Sequence, residues 1–166
     1  MGQSGQPERA NNLTTVTRKS DREIVVTRTF DSPARTVFDA WTRRELFRLW
    51  WAPRSMGATL SACEIDARTG GGYRMTFGDG SDSMTFFGRY LDVTPPSRLV
   101  WTNEESADGP VTTVSFEDQG ESTLLIFSEL YGAAEPPADA AAGMQAMMSE
   151  QFAQLDELLA SRRRAA

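Results

Sequence analysis

Apolar and polar positions alternate along Glu23–Phe30, where Ile24, Val26 and Phe30 share one side of a β-branched segment, the pattern of a half-buried strand. The residues before it, from 1 to about 20, are rich in Gly, Gln, Asn, Ser and Thr without a sustained period and read as a flexible N-terminal arm. After the strand, Ser32 and Pro33 read as an N-cap and a first helical residue. Val37, Phe38 and Trp41 then fall at helical spacing, which predicts a short helix. A second short helix is predicted over Arg43–Trp50, with Leu46, Leu49 and Trp50 repeating that spacing until Pro53 stops it.

From Ala58 to Glu129 the helical period gives way to β-rich runs at about 58–66, 72–77, 84–94, 98–102, 111–117 and 122–129, separated by Gly, Pro, Asp and Ser turn chemistry. Short connections between successive strands imply an antiparallel meander. Along 139–159, Met144, Met148, Phe152, Leu155 and Leu159 form one apolar stripe, and the following SRRRAA reads as a frayed basic end. The order strand, two short helices, six strands, long helix lacks βαβ alternation and predicts an α+β fold. A seven-stranded antiparallel sheet bends round one C-terminal helix over 21–160, with an apolar pocket expected in the gap between them.

Composition narrows the function. The chain has 166 residues, 40% apolar and 24% charged, enough for one domain that folds without a disulfide or metal. Its net charge of −6 opposes phosphate neutralisation and argues against nucleic acid as a partner. The lone Cys63 cannot close an internal disulfide and reads as a small buried hydrophobe. With no apolar signal segment at the start and no membrane-spanning run, the expected setting is the cytoplasm without membrane insertion. Absence of histidine removes the commonest general base, the His-dependent triads and the commonest metal ligand together. No metal and no cofactor are expected, and any chemistry falls to carboxylates, Tyr, Lys, Arg or water.

Three motifs then carry a resemblance: VFDAWTRRELFRLWWAP (37–53), DARTGGGYRM (66–75) and GRYLDVTPPSRLVWT (88–102). In that order and over about 22–160, the chain resembles the Hsp90-ATPase-activator-homologue-like branch of the START/Bet v 1-like superfamily, also called SRPBCC proteins. The resemblance implies a helix-grip fold with an internal cavity, and members bind varied ligands. Where similar proteins carry Gly-Trp at the start of the last helix, this chain has Gly143-Met144, a flexible thioether in the cavity wall. The co-chaperone that names the family has a separate N-terminal chaperone-binding domain. Only the arm of about 20 residues stands in that place here, which argues against an Hsp90-type chaperone as partner.

Trp41 reads as a core plug. Adjacent Trp50 and Trp51 cannot share one helical direction, so Trp51 is the better ligand candidate. The methionine load, from Met56 to Met148, suits an adaptable apolar pocket, and one of Phe86 and Phe87 must face inward. The candidate ligand-binding residues are Trp51, Met75, Phe86, Met144 and Met148. Asp66, Arg68 and Gly70–Gly72 read as a braced corner between strands, and Asp79–Asp82 as a polar hairpin tip and not a calcium loop. Glu64, Tyr90, Asp92 and Glu129 are solvated strand residues unless they project into the cavity, where burial would make them acid/base groups.

Three functions stand in order: a binding protein for a small hydrophobic molecule, a cofactor-independent cyclase or dehydratase, and a chaperone-accessory protein. An ionisable residue in the cavity favours the enzyme, a wholly apolar cavity the carrier, and a closed core with an exposed apolar patch the accessory protein. The oligomeric state is open, a homodimer included.

Overall fold

The alternation along Glu23–Phe30 becomes a strand with Ile24, Val26 and Phe30 fully buried on its inner face. The computed structural model describes residues 13–57, 59–78, 80–132, 136 and 138–165. Residues 1–12 of the expected arm, Ala58 of the expected strand at 58–66, Asp79 of the hairpin tip and Ala166 of the basic end lie outside the described residues.

The first departure from expectation is an added strand. Thr15–Ser20 form β1, which pairs antiparallel with β2 (Glu23–Phe30) and sets Val16 opposite Val26. The sheet therefore has eight strands among the described residues, not seven. Only Val16 of β1 is even half-buried, so the strand is held by its backbone ladder and leaves no apolar alternation to read.

The remaining strands are β3 (Leu60–Ile65), β4 (Gly72–Phe77), β5 (Met84–Thr94), β6 (Arg98–Thr102), β7 (Val111–Asp118) and β8 (Thr123–Leu130). They lie in the spatial order β1-β2-β8-β7-β6-β5-β4-β3, every neighbouring pair antiparallel. The crossover from β2 to β3, at the far edge, contains helices α1 (Ala34–Thr42) and α2 (Arg44–Phe47).

Helix placement also differs from expectation. Pro33 and not Ser32 occupies the cap position, in extended conformation, and its carbonyl accepts the Val37 N–H at 3.1 Å. Ser32 is instead buried, its carbonyl accepting the Thr123 hydroxyl at 2.7 Å. Helix α2 is a single turn. Beyond it the amides of Trp50 and Trp51 both return to the Phe47 carbonyl, at 3.3 and 3.2 Å, so the two indoles leave from a tight loop and not from a helix face. The long helix α3 (Ala140–Ala165) runs past the expected end at Leu159. Its basic end docks instead of fraying: the Arg163 guanidinium donates to the Asp31 carbonyl at 2.7 Å and the Ser32 hydroxyl at 2.8 Å.

Helix α3 packs across β1 and β2 and against α1. The core between them is centred on Trp41, whose ring meets Trp50 at 4.9 Å, Trp51 at 5.8 Å and Phe152 of α3 at 6.3 Å, with Phe116 and Phe127 of the sheet at 6.1 and 6.2 Å. Phe30 and Phe152 meet edge to face at 5.4 Å. Arg28, buried on the inner face of β2, pairs with Asp156 of α3 and lies over the Phe30 ring, a charged residue at an inward position. That placement suits the period of two but needs the partner from the helix.

Phe152 is fully buried between Phe30, Trp41 and Trp50. Phe152→Ala is expected to lower unfolding free energy by about 3–5 kcal/mol in denaturant titration. A loss below about 1 kcal/mol would mean that the aromatic core closes without this ring.

Candidate functional site

Away from the Trp41 core, sheet and helix diverge and leave a cavity of about 260 Å³. Its floor is sheet: Tyr73, Met75 and Phe77 from β4, Phe86 and Tyr90 from β5, Trp101 from β6, and Phe127 and Glu129 from β8. Its roof is Phe47 at the end of α2 and the loop that follows, with Trp51 and Pro53, together with Met147 and Gln151 of α3. Met56, Met84, Phe86 and Met147 also stand at the mouth, exposed by 58%, 58%, 38% and 43%.

Two local devices shape the floor. At Gly88 an added Cβ would lie 2.0 Å from the Thr102 carbonyl oxygen and 2.9 Å from the Tyr73 ring, so only glycine lets β5 approach β6 there with Tyr73 beneath it. The corner at Asp66–Gly72 is similar: Arg68 Nε donates to both Asp66 carboxylate oxygens at 3.0 Å, and Gly71 comes too close to the Asp66 carbonyl for any Cβ. This corner hands the chain to β4, which carries Tyr73 and Met75 into the wall.

The roof is fixed by two buried glutamines of α3. Gln154 donates to the carbonyls of Trp50 (3.0 Å) and Ala52 (2.9 Å), and its Oε1 accepts the Arg54 N–H at 2.9 Å. Gln151, one turn earlier, donates to the Trp51 carbonyl at 2.6 Å. Outside them Ser55 N–H donates to Glu150 at 2.8 Å, and Arg54 pairs with Glu157 at 2.9 Å. Loop carbonyls that would otherwise be desolvated beneath the indoles are thereby satisfied.

One end of the cavity is polar. Glu129 accepts the Tyr131 hydroxyl at 3.1 Å and the hydroxyl of buried Thr112 at 3.3 Å, and Thr112 in turn accepts Asn103 Nδ2 at 2.9 Å. Burial raises the Glu129 carboxyl above the usual carboxylate range, and the Glu105 charge adds to the rise against the two hydroxyl donors. The Tyr131 phenol is pushed up to about 12 by burial and by Glu129. Tyr73 and Tyr90, both buried, are raised far above the usual phenol value, first by desolvation. Neither phenol ionises near neutrality, and the Tyr73 proton is committed to the Thr102 carbonyl at 2.7 Å.

Of the five ligand candidates, Trp51, Met75 and Phe86 come together in this lining, and Met144 and Met148 do not. Met148 is 2% exposed within the core, and Met144 packs against that core from one turn earlier. The cavity lies to one side of the Met144–Leu159 stripe, so α3 presents to it the neighbouring row Met147 and Gln151. Phe87 faces the other side, under Arg74 at 5.6 Å.

Among the acid/base candidates, Glu129 and Tyr90 reach the cavity. Glu64 is exposed in a shallow outer depression with Arg44, Asp66 and Arg74, while Asp92 accepts the Thr94 hydroxyl at 2.8 Å and pairs with Arg98 at 3.8 Å. Gln151 and Gln154 escape sequence reading because an amide in a helix looks like part of a solvated face. Their i, i+3 spacing, each one residue before Phe152 and Leu155 of the buried stripe, is the single trace they leave.

A family model described as activator of Hsp90 ATPase homolog 1-like protein matches residues 31–160. Among solved structures, the chain is similar to a Rhodobacter sphaeroides protein at 23% identity, over 89% of this chain and 98% of that one, with a TM-score of 0.78. It is similar to a Staphylococcus epidermidis protein at 26% identity, over 89% and 94%, with a TM-score of 0.73. An AHSA1-like protein from Aeromonas hydrophila shares 20% identity over 80% of this chain and 92% of its own, with a TM-score of 0.66. No curated protein matches the sequence. Among the described residues no helix is long and apolar enough to cross a membrane.

A carboxyl whose folded value is raised binds its proton more tightly in the folded state. Its stabilising protonation is complete below the ordinary Glu range and is lost as pH rises through the raised value. Glu129→Gln is therefore expected to raise the melting temperature relative to the parent at pH 8, with the gap closing toward pH 4. A variant less stable than the parent at pH 8, or a gap independent of pH, would contradict an ionisation cost at Glu129.

Proposed function

We propose that this chain, which belongs to the activator of Hsp90 ATPase homolog 1-like family, binds a small, largely apolar molecule between its sheet and its C-terminal helix. The observation that carries the reading is the 260 Å³ cavity with aromatic and thioether walls, held open by a roof that α3 fixes from outside. A cavity of about 150 Å³ suffices for benzene, so this volume suits a molecule of about two fused rings or an equivalent aliphatic. Covering ~200 Å² of apolar ligand surface gains roughly 5 kcal/mol before entropic costs, which by itself corresponds to a Kd of about 0.2 mM at the tightest. A cytoplasmic setting belongs to the same proposal, supported by the single unpaired Cys63.

Glu129 favours a second reading, a cofactor-independent cyclase or dehydratase in which its carboxyl moves a proton. Native mass spectrometry of protein purified from its own source separates the two, since a carrier retains its molecule unchanged whereas an enzyme converts it on incubation. A chaperone-accessory role rests on the family's description alone.

Naphthalene titrated by calorimetry tests the binding site itself. Met75→Trp places an indole in the lining and is expected to weaken binding at least tenfold. Met144→Trp, outside the lining, is expected to change it less than twofold. Equal effects of the two substitutions, or no binding by the parent, would overturn the assignment.

A further inference from the structure

The polar end of the cavity is built to accept hydrogen bonds. Asn103, in the lining, commits both amide hydrogens inside the protein, to the Pro110 carbonyl at 2.8 Å and to Thr112 Oγ1 at 2.9 Å. A carbonyl can only accept, which fixes the amide nitrogen on that side and leaves Oδ1 on the other. Thr112, filled as an acceptor by Asn103, gives its own proton to Glu129, as does Tyr131. Each Glu129 oxygen thus takes one hydroxyl, whereas a carboxylate offers about four acceptor positions. The strand register sets its place: Tyr90, Trp101, Thr112 and Glu129 stand in one row across β5, β6, β7 and β8, and all but Thr112 are in the lining. Thr112 is wholly buried and Glu129 only half-buried, so of this bonded pair it is Glu129 that keeps surface for a guest.

Charge points the same way. Among the described residues the lining holds two carboxylates, Glu129 and the exposed Asp82, and neither lysine nor arginine. Glu105 adds its negative charge at Glu129, and Arg18, which acts on Tyr131, stands outside the lining. Tyr90 and Trp101 in the same row, with Phe127 two residues before Glu129, offer ring faces that attract cations. We propose that the guest of this cavity is a hydrophobic amine, whose ammonium group donates to the Glu129 carboxylate while its apolar frame lies against Trp51, Met75 and Trp101. This rests on the cavity being the binding site and deepens that reading by naming the guest's charge. Folding already desolvates Glu129 and raises its carboxyl, so a bound ammonium meets a charge whose burial cost is largely incurred before it arrives. A carboxylate guest of the same frame meets like charge and is refused.

The test uses three probes of one shape: 2-(aminomethyl)naphthalene as its ammonium, 2-(hydroxymethyl)naphthalene and 2-ethylnaphthalene, titrated by calorimetry into the full chain at pH 7. The parent is expected to bind the ammonium at least tenfold tighter than either neutral probe, the ratio typical of one net hydrogen bond to a charged group. In Glu129→Gln, which keeps the shape and removes the charge, the ammonium should bind no tighter than the alcohol, with the hydrocarbon still bound. Equal or weaker binding of the ammonium by the parent would overturn the proposal while leaving the apolar site intact, whereas failure of all three probes would sink both. A preference that survives Glu129→Gln but is lost in Asp82→Asn would also overturn it, by placing the attraction at the other carboxylate. If Glu129→Gln loses its fold by circular dichroism, the comparison within the parent decides alone.

Discussion

Everything in this molecule depends on how a short loop, Trp50 to Arg54, is pinned to a helix about a hundred residues away in sequence. The carbonyls of Trp50, Trp51 and Ala52 have neither strand nor helix partners among the described residues, and the loop carries two indoles into the interior. Gln151 and Gln154 replace the missing secondary structure, three carbonyls and one amide being served by two side chains. With the loop fixed, Trp50 also donates its indole N–H to the Ala40 carbonyl at 2.9 Å and Trp41 is walled in, so α1, the sheet and α3 share one aromatic centre. Solid packing ends where Trp51 begins, which places the cavity on the other side of that residue.

The extents of the strands were largely legible. The runs at 72–77, 84–94 and 98–102 coincide with β4, β5 and β6, because period-two alternation and glycine or proline punctuation mark both face and end of a strand. What escaped was whatever lacks a side-chain signature. Edge strand β1 buries little, the cap at Pro33 follows from Ser32 being drawn into contacts with Thr123 and Arg163, and the last helical turn persists because Arg163 has a carbonyl to reach. Each is a tertiary contact deciding a local conformation.

The site was legible in kind but not in detail. Soft and aromatic residues announced an apolar gap, and Trp51, Met75 and Phe86 do line it. Met148 shows the limit of the method: a helical stripe reveals which side is buried, but core and cavity are both buried, and they lie one residue apart around α3. Glutamines at 151 and 154 went unmarked in the sequence, because their partners are main-chain carbonyls that any sequence supplies. Glu129 was recognised only as a residue whose direction would decide its chemistry, and the pairing of β8 with β7, which sets it opposite Thr112, turns it inward.

The mouth has a kinetic meaning. Its exposed apolar side chains are Met56, Met84 and Met147 with Phe86, and three of these four are unbranched thioethers. Such chains change rotamer on the picosecond-to-nanosecond scale when exposed, without any backbone hinge. A guest of the kind proposed above would meet a threshold that yields atom by atom and adds little to the barrier for entry or exit. Its residence time would be governed by the walls inside, and its traffic would follow its own concentration instead of waiting on a conformational clock.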